Sequence, residues 1–228
     1  MEYVQMQVIA RIKSDFPTKF GIPRQSGLVK ELQGTIIMEP GFRNPDMLRG
    51  IEGFSHLWLI WQFSANADKD WSPTVRPPRL GGNTRLGVFA TRSTFRPNFM
   101  GLSSVKLEGV ELTKEYGTVI HVSGADLMDG TPIFDIKPYI PYGDCHPDAS
   151  GGFTDTADSY LLKVEFPDAL LQKLPAEKQP AAIGVLSHDP RPSYQKDSDR
   201  IYGISFAGFD IRFTVKEDKL TVVDMEET

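Results

Sequence analysis

The chain has 228 residues, of which 40% are hydrophobic and 24% charged, and its formal net charge is -5. This composition is typical of a globular protein with one or two domains and excludes wholesale disorder. The longest apolar run, residues 57–61, is far shorter than the roughly 20 residues that span a bilayer, and the opening MEYVQMQV lacks the order of a secretory signal. The single cysteine, Cys145, excludes an intramolecular disulfide framework and a multi-cysteine zinc cluster. We therefore expect a soluble, cytoplasmic protein with no membrane segment.

Charge is unevenly distributed along the chain. Residues 71–107 contain five arginines and one lysine but no Asp or Glu, whereas residues 197–228 contain eight acids and four bases. A negative net charge does not indicate a nucleic-acid-binding protein. A polyanionic partner would therefore have to bind a local patch, and the acid-free stretch is the candidate.

Short strand-like runs separated by Gly and Pro occupy the first 142 residues. Residues 3–12 alternate apolar and polar side chains, which is the period of a half-buried strand. Similar runs cover residues 34–38, 57–63, 87–90, 102–112, 118–125 and 133–139. Seven such runs without a convincing helix predict a barrel or a sandwich.

A polar, Asp-rich segment, residues 143–159, predicts a linker between two domains. Beyond it, Asp168 can cap a short helix that runs to Leu174, and residues 176–186 predict a second helix with Pro180 in its first turn. Strand-like runs at 202–206, 209–215 and 220–223 follow. We therefore predict a domain over residues 1–142 and a small α+β domain over residues 160–228.

Common nucleotide and metal motifs are absent from the sequence. No G-x-G-x-x-G opens a helix, and residues 82–87 have phosphate-loop glycine spacing but continue with Val88 where the motif requires lysine. The histidines show no metal-ligand spacing, so we expect no metal site. They stand at positions 56, 121, 146 and 188.

Two proline-stiffened loops carry the densest functional signal, RPPRLGG at residues 76–82 and ATRSTFRPN at residues 90–98. Proline restricts the backbone, and the planar fork of arginine matches phosphates, carboxylates and base edges. The pattern fits a polyanion or nucleotide site and, equally well, a solubilising loop whose arginines pair with acids elsewhere. On the first interpretation the RNA-binding residues are Arg76, Arg79, Arg85 and Arg96.

Other polar motifs also have ordinary structural explanations. PRQ at residues 23–25 is a rigid turn, and the histidine of SHLW at residues 55–58 is more often structural than ligand-binding at the start of an apolar strand. DLMDGTP at residues 126–132 fits a hairpin turn. DPRPSY at residues 189–194 fits an exposed connection.

Together these motifs closely resemble the TsaA-like family, which includes the TrmO tRNA methyltransferases. The ordered set comprises PRQ, SHLW, RPPRLGG, FATRSTFRPN, DLMDGTP, DIKPYIPY and DPRPSY, and the match spans about residues 8–213. The resemblance implies an S-adenosylmethionine-dependent enzyme that N6-methylates threonylcarbamoyladenosine at position 37, in the anticodon loop of tRNA. It also implies a mainly β fold, with an N-terminal all-β barrel and a small C-terminal domain, and a homodimer.

The resemblance assigns cofactor-binding roles motif by motif. A carboxylate at Asp126 or Asp129 could accept a hydrogen bond from the ribose or the amino group of the cofactor. The residues implied in S-adenosylmethionine binding are Pro23, Arg24, Gln25, His56, Leu57, Arg92, Leu102, Asp126, Leu127, Met128 and Asp129.

Catalytic roles are predicted for the DPRPSY loop on chemical grounds. A carbamoyl-bearing exocyclic N–H is more acidic than that of adenine, so Asp189 could accept its proton. Arg191 could bind a carboxylate or a phosphate, and Tyr194 could stack on the base or hydrogen-bond to it. The alternative is a nucleotide-sensing or RNA-binding module without catalysis, which a methyl-transfer assay would distinguish.

Overall fold

The computed structural model describes residues 2–77, 80, 84–155, 160–191 and 197–228. Its strands are β1 (Ala10–Lys13), β2 (Gln33–Met38), β3 (His56–Gln62), β4 (Thr74–Val75), β5 (Leu86–Gly87), β6 (Met100–Thr113), β7 (Gly117–Ser123), β8 (Pro132–Pro138), β9 (Lys163–Glu165), β10 (Tyr202–Phe206), β11 (Phe209–Lys216) and β12 (Lys219–Glu227). Its helices are α1 (Pro141–Asp144), α2 (Asp168–Leu171) and α3 (Gln179–Ser187). The predicted mainly β class is confirmed.

Strands from the N-terminal part of the chain form one closed sheet. They hydrogen-bond in the order β1, β2, β7, β6, β3, β8, and antiparallel pairing of β8 with β1 closes the sheet into a barrel. In β3 the side chains of Leu57, Leu59 and Trp61 alternate inward with half-buried neighbours. This is the period-2 pattern of a strand with one buried face. Their inward side chains pack with those of the other strands in one core cluster.

The C-terminal unit is sheet-rich. Its four described strands lie in the order β10, β11, β12, β9, with β9 parallel to β12 and the other pairs antiparallel. Helix α3 buries Ala181, Ala182, Val185 and Leu186 in the core of this unit. Pro180 lies in the first turn of α3, where a backbone N–H would have no acceptor within the helix, so proline removes no helical hydrogen bond.

Residues 14–32, hereafter the strap, connect the barrel to the C-terminal unit. Phe16, Val29 and Leu32 belong to the core cluster of the C-terminal sheet, although they lie between β1 and β2 in sequence. The Phe16 ring meets Phe206 edge-on at a centroid distance of 5.3 Å. The strap therefore ties the two units together through shared apolar packing.

Element boundaries differ from the sequence expectations where a pairing partner ends. The strand predicted from residue 3 begins at Ala10, because β2 ends at Met38 opposite Ala10. The strand predicted at residues 87–90 is only the end of β5 followed by a helical turn. The helix predicted to reach Leu174 ends at Leu171.

No helix in the described part of the chain is long and apolar enough to cross a membrane.

Candidate active site

A cleft of about 770 Å³ opens where the strap passes the ends of β3 and β6. This volume lies within the range of roughly 300 to 1,000 Å³ that is usual for small-molecule sites. Its walls come from residues 19–25 of the strap, residues 60–66, residues 91–96, the start of β6 and the turn after β7. Register pairs Ile60 with Leu102 and Trp61 with Gly101, so β3 and β6 present one continuous floor.

Several residues predicted from separate motifs meet in this cleft. Segments more than 100 residues apart in sequence, from Pro23 to Met128, supply them, and only the closure of the sheet and the path of the strap bring them together. The predicted residues that line the cleft are Pro23, Arg24, Gln25, Arg92, Arg96, Leu102, Asp126 and Met128.

Hydrogen bonds order the arginine-rich side of the cleft. The Arg92 guanidinium donates to the side-chain oxygen of Gln25, which joins the strap to the loop after β5. The Gln25 amide donates to the backbone carbonyl of Arg24. Arg96 donates through Nη1 to the carbonyl oxygen of Thr91 at 3.1 Å, which braces its own loop.

Asp126 is the carboxylate on the floor of the cleft. Its Oδ1 accepts a hydrogen bond of 2.6 Å from Ser103, whose hydroxyl accepts one of 3.0 Å from the Trp61 indole N–H. Burial raises the pKa of Asp126 above its usual value, and the Ser103 hydrogen bond and the Arg92 charge only partly offset this effect. The cleft therefore contains a carboxylate that is ready to accept hydrogen bonds and is poorly solvated when ionised.

Gly101 is required for the position of Trp61. A Cβ at residue 101 would lie 2.3 Å from Cε2 of Trp61, a distance that no real contact shows. Trp61 also meets Phe63 edge-on at a centroid distance of 4.4 Å. The absence of a side chain at Gly101 thus lets the indole lie against β6 and reach Ser103.

Other predicted cofactor residues lie outside the cleft. Leu57 and Leu127 are fully buried in the barrel core. Asp129 accepts the Ser14 backbone N–H at 2.9 Å and so fixes the beginning of the strap. His56 lies at the far end of β3, about 20 Å from Gln62 at 3.3 Å per residue, where Nδ1 is 3.0 Å from the Ser55 hydroxyl.

The residues predicted to bind RNA occupy two places. Arg96 lines the cleft, whereas Arg76 and Arg85 are exposed on the β4–β5 hairpin. Arg85 donates to the Thr74 hydroxyl at 3.0 Å, and no acid among the described residues forms an ion pair with it. Arg79 lies outside the described residues.

The predicted catalytic loop contains a nearly buried ion pair. Both oxygens of Asp189 accept hydrogen bonds from Arg191, at 2.7 and 2.8 Å, and the Tyr160 hydroxyl donates to Oδ2 at 2.7 Å. Burial opposes ionisation, but the hydrogen bonds from Arg191 and Tyr160 dominate and lower the pKa of Asp189. A carboxylate with a lowered pKa and both oxygens engaged is a weak proton acceptor. Tyr194 lies outside the described residues.

Sequence reasoning missed several residues of the cleft. Trp61 could have been found from the alternation of β3, because it lies on the same strand face as the predicted Leu57. Ser103 does not line the cleft, but the register places it on that same face, where it supports Asp126. Lys19 and Phe20 carry no motif, and only the path of the strap places them at the cleft. Lys19 donates to Asn66 at 2.9 Å, and partial burial together with the neighbouring Lys69 lowers the pKa of Lys19.

The donor set of the cleft fits S-adenosylmethionine. Arginines can bind the carboxylate of its methionine part, and Asp126 can accept from a hydroxyl or an ammonium group. Aromatic side chains, Trp61 and Phe95 among them, offer faces to an adenine ring or a sulfonium cation. Among the described residues, no group of three acidic, histidine or cysteine side chains is arranged to hold a metal ion.

Comparison with known proteins places both parts of the chain in one family. Residues 11–145 match the model of the tRNA-methyltransferase O N-terminal domain, and residues 159–228 match that of the TrmO C-terminal domain. The chain belongs to the TrmO family. The resemblance inferred from the motifs is thereby confirmed.

Individual TrmO relatives cover different shares of the chain. The tRNA (adenine(37)-N6)-methyltransferase of Escherichia coli is 40% identical over 234 residues, which cover 99% of both chains. The crystal structure of TrmO from Pseudomonas aeruginosa superposes with a TM-score of 0.80 at 33% identity and 99% coverage of both chains. The mouse tRNA (adenine(37)-N6)-methyltransferase is 43% identical over 134 residues, 58% of this chain and 30% of its own length.

Proposed function

We propose that this TrmO-family protein is an S-adenosylmethionine-dependent enzyme that methylates N6 of the adenosine at position 37 of tRNA, with threonylcarbamoyladenosine as the substrate nucleoside. The observation that carries this proposal is the cleft, in which PRQ, the ATRSTFRPN arginines and the Asp126 turn come together. The match of both family domains over nearly the whole chain supports it.

The cofactor would lie on the floor formed by β3 and β6. S-adenosylmethionine supplies the methyl group when it is bound. Arg24, Arg92 and Gln25 would bind its anionic end, and Asp126, oriented by Ser103, would accept a hydrogen bond from it. Leu102 and Met128 would exclude water from its apolar parts, which strengthens these polar contacts.

The substrate base would enter the same cleft from the arginine-rich side. Position 37 lies in a single-stranded loop, so unstacking its base costs less than extruding a base from a duplex. Phe20 and Phe95, both exposed at the cleft, provide faces on which a base can stack. Positioning the nitrogen about 3 to 3.5 Å from the methyl carbon would supply much of the acceleration.

The Asp189 loop would act by positioning. Asp189 holds the guanidinium of Arg191 in one orientation, and Arg191 would contact an anionic group of the substrate. The role predicted for Tyr194, stacking on the base or hydrogen bonding to it, is kept in this proposal. The proton acceptor is not assigned to Asp189 because its carboxylate is already engaged.

A homodimer belongs to the same proposal. His56 lies at the opposite end of β3 from the cleft of its own chain, so a role for it in cofactor binding requires the cleft of a second copy. Sedimentation equilibrium would measure the state of association. Because the substrate is tRNA, we place the enzyme in the cytoplasm.

A methyl-transfer assay tests the proposal. Purified protein is incubated with radiolabelled S-adenosylmethionine and two matched tRNAs, one carrying threonylcarbamoyladenosine at position 37 and one carrying adenosine. We expect label in the modified tRNA only. Cofactor binding by calorimetry without transfer to either tRNA would support a sensing or RNA-binding module instead.

A further inference from the structure

A second, smaller cleft lies on the C-terminal unit beside the strap. Its volume is about 210 Å³, and its lining includes Phe20, Arg191, Arg200, Tyr202 and Phe213. This is below the roughly 300 Å³ at which sites for whole small molecules begin. The small cleft can therefore hold one chemical group of a larger ligand, but it is too small for a whole nucleotide.

Two guanidinium groups lie against one aromatic ring in this cleft. Cζ of Arg200 is 5.5 Å and Cζ of Arg191 is 5.9 Å from the centroid of the Tyr202 ring. Tyr202 is buried and stacks on Phe213 at a centroid distance of 5.9 Å, so the ring is a fixed platform. Contact with an aromatic face orients a guanidinium without consuming its hydrogen-bond donors.

The charges around this platform do not balance. Asp189 accepts from Nε and Nη2 of Arg191, and Nη1 of Arg191 takes no part in these two bonds. Within the described part of the chain, Arg200 forms no hydrogen bond or ion pair, and its ring contact is with Tyr202. The charged side chains that line the small cleft are both arginines, and only Arg191 is paired with a carboxylate, that of Asp189, so an anion is favoured beside Arg200.

The small cleft adjoins the large cleft at Phe20. Phe20 lines both of them, and a Cβ at the neighbouring Gly21 would lie 3.0 Å from Ile204, so the strap is pressed against β10 at this point. Cations of the large cleft, Lys19 and Arg24 among them, lie on the same strap. A ligand that occupies the large cleft and extends past Phe20 would meet Arg200 next.

We propose that Arg200, together with Nη1 of Arg191, binds one anionic oxygen group of the tRNA substrate. The inference rests on the proposed function, because it takes the occupant of the large cleft to be the target nucleoside. The group is either a backbone phosphate next to position 37 or the carboxylate of the threonylcarbamoyl group, and both present the oxygen pair that a guanidinium recognises.

The test compares Arg200→Gln with the wild type in binding to two tRNAs, one with threonylcarbamoyladenosine and one with adenosine at position 37. Loss of one charge-assisted contact, worth roughly 1.5 to 3 kcal/mol, corresponds to about tenfold weaker binding or more. A phosphate contact predicts the same loss with both tRNAs and a salt slope smaller by about 0.7, the value for one phosphate of a single strand. A carboxylate contact predicts a loss with the modified tRNA only.

Arg49→Gln is the matched control, because Arg49 is exposed and already paired with Asp46 at 2.5 Å, and its tRNA affinity should equal that of the wild type. Arg200 is exposed, so Arg200→Gln should keep the wild-type melting temperature and the wild-type affinity for S-adenosylmethionine. Unchanged affinity of Arg200→Gln for both tRNAs would overturn the inference.

The inference and the proposed function fail in different ways. If wild-type protein transfers no methyl group to the modified tRNA, the proposed function fails whatever Arg200 does. If the wild type transfers methyl groups and Arg200→Gln matches its KM for the modified tRNA, only the anion site fails. Arg200→Lys, which keeps the charge but not the planar fork, should recover part of the affinity lost in Arg200→Gln if a phosphate is bound.

Discussion

At the scale of single residues, Asp126, proposed to bind the cofactor, and Asp189, proposed to position Arg191, have opposite electrostatic environments. Burial dominates at Asp126 and raises its pKa, whereas hydrogen bonds from Arg191 and Tyr160 overcome burial at Asp189 and lower its pKa. The first carboxylate is costly to ionise in the folded protein, and the second is stabilised as an anion. This difference has consequences for stability that can be measured without substrate.

Asp126→Asn should make the cofactor-free protein more stable at pH 7. Because the folded pKa of Asp126 is raised, its stabilising contribution is complete below the unfolded value near 3.8 and is lost as pH rises through the folded pKa. Asparagine cannot ionise, so the variant does not lose stability as pH rises, and its side-chain oxygen can still accept the hydrogen bond from the Ser103 hydroxyl. Urea unfolding from pH 4 to pH 7 should show the advantage of the variant growing with pH.

Asp144→Asn provides the contrasting control. Hydrogen bonds from the Ile140 backbone and the Trp58 indole lower the pKa of Asp144, so its contribution is present at pH 7 and is lost as pH falls through the folded pKa. This variant should be less stable than the wild type at pH 7.

In the cofactor assay, Asp126→Asn should bind S-adenosylmethionine about tenfold more weakly, and full affinity would remove Asp126 from the site.

Asp189→Asn should act first on stability. The variant leaves Arg191, whose side chain is only 10% exposed, without its carboxylate, and breaking a buried pair costs about 3 to 5 kcal/mol. Urea unfolding would measure this loss, and Tyr160→Phe, which removes one hydrogen bond, should cost about 1 kcal/mol. A normally stable Asp189→Asn protein with a single-turnover rate 10² to 10⁴ times lower would instead identify Asp189 as the general base.

At the scale of elements, the strap carries the PRQ motif but is held in place by the C-terminal unit. Val29 packs against α3, where a Cβ at Gly184 would lie 2.7 Å from Cγ1 of Val29. Lys178 is paired with Asp15 at 2.7 Å, and both side chains are mostly buried. Packing of the C-terminal unit therefore determines the position of one wall of the cofactor cleft.

Gly184→Ala should weaken cofactor binding from a distance. Alanine favours the helix by roughly 0.8 to 1 kcal/mol, but overpacking against Val29 costs about 1 to 3 kcal/mol, so the strap must move. We expect weaker S-adenosylmethionine binding by calorimetry. Val29→Ala in the same chain should restore it, because the double variant relieves the contact, and a double-mutant cycle would give the coupling. Additive effects on binding would show that the strap does not transmit the change.

At the scale of the whole molecule, a protein of net charge -5 lines the proposed substrate site mainly with cations. Lys19, Arg24, Arg92 and Arg96 line the large cleft, and Asp126 is the acid that faces them. Arg191 and Arg200 line the small one. Electrostatic attraction to tRNA therefore depends on this face rather than on the total charge.

Arg85→Glu tests whether the β4–β5 hairpin extends that face. If Arg85 contacts a phosphate, its reversal should weaken tRNA binding and reduce the slope of log affinity against log salt by about 0.9. Fluorescence anisotropy at several salt concentrations would measure both quantities, with Arg49→Glu as the control for a charge reversal elsewhere. Equal slopes for Arg85→Glu and the control would exclude the hairpin from the RNA surface.

The sequence alone determined the mainly β class, the family and eight of the residues that line the cleft, Asp126 and Arg92 among them. Alternation of apolar residues in β3 follows from one-sided burial, a local rule that can be read from the chain. The arginine of PRQ and the aspartates of DLMDGTP can be read directly from the sequence. Their charge and hydrogen-bonding capacity were therefore known before their positions in the fold.

Only the tertiary structure decided which of these residues meet. The distance between Gln25 and Arg92 cannot be derived from the sequence. In the structure, the closure of the sheet and the path of the strap bring the two side chains into contact. The sequence of a motif also does not show in which direction each of its side chains points. In the structure Asp126 faces the cleft, whereas its neighbour Leu127 is buried in the barrel. Long-range packing set both outcomes. Burial of Phe16 and Val29 in the C-terminal core fixes the path of the strap, and burial of Leu127 in the barrel core leaves Asp126 facing the cleft.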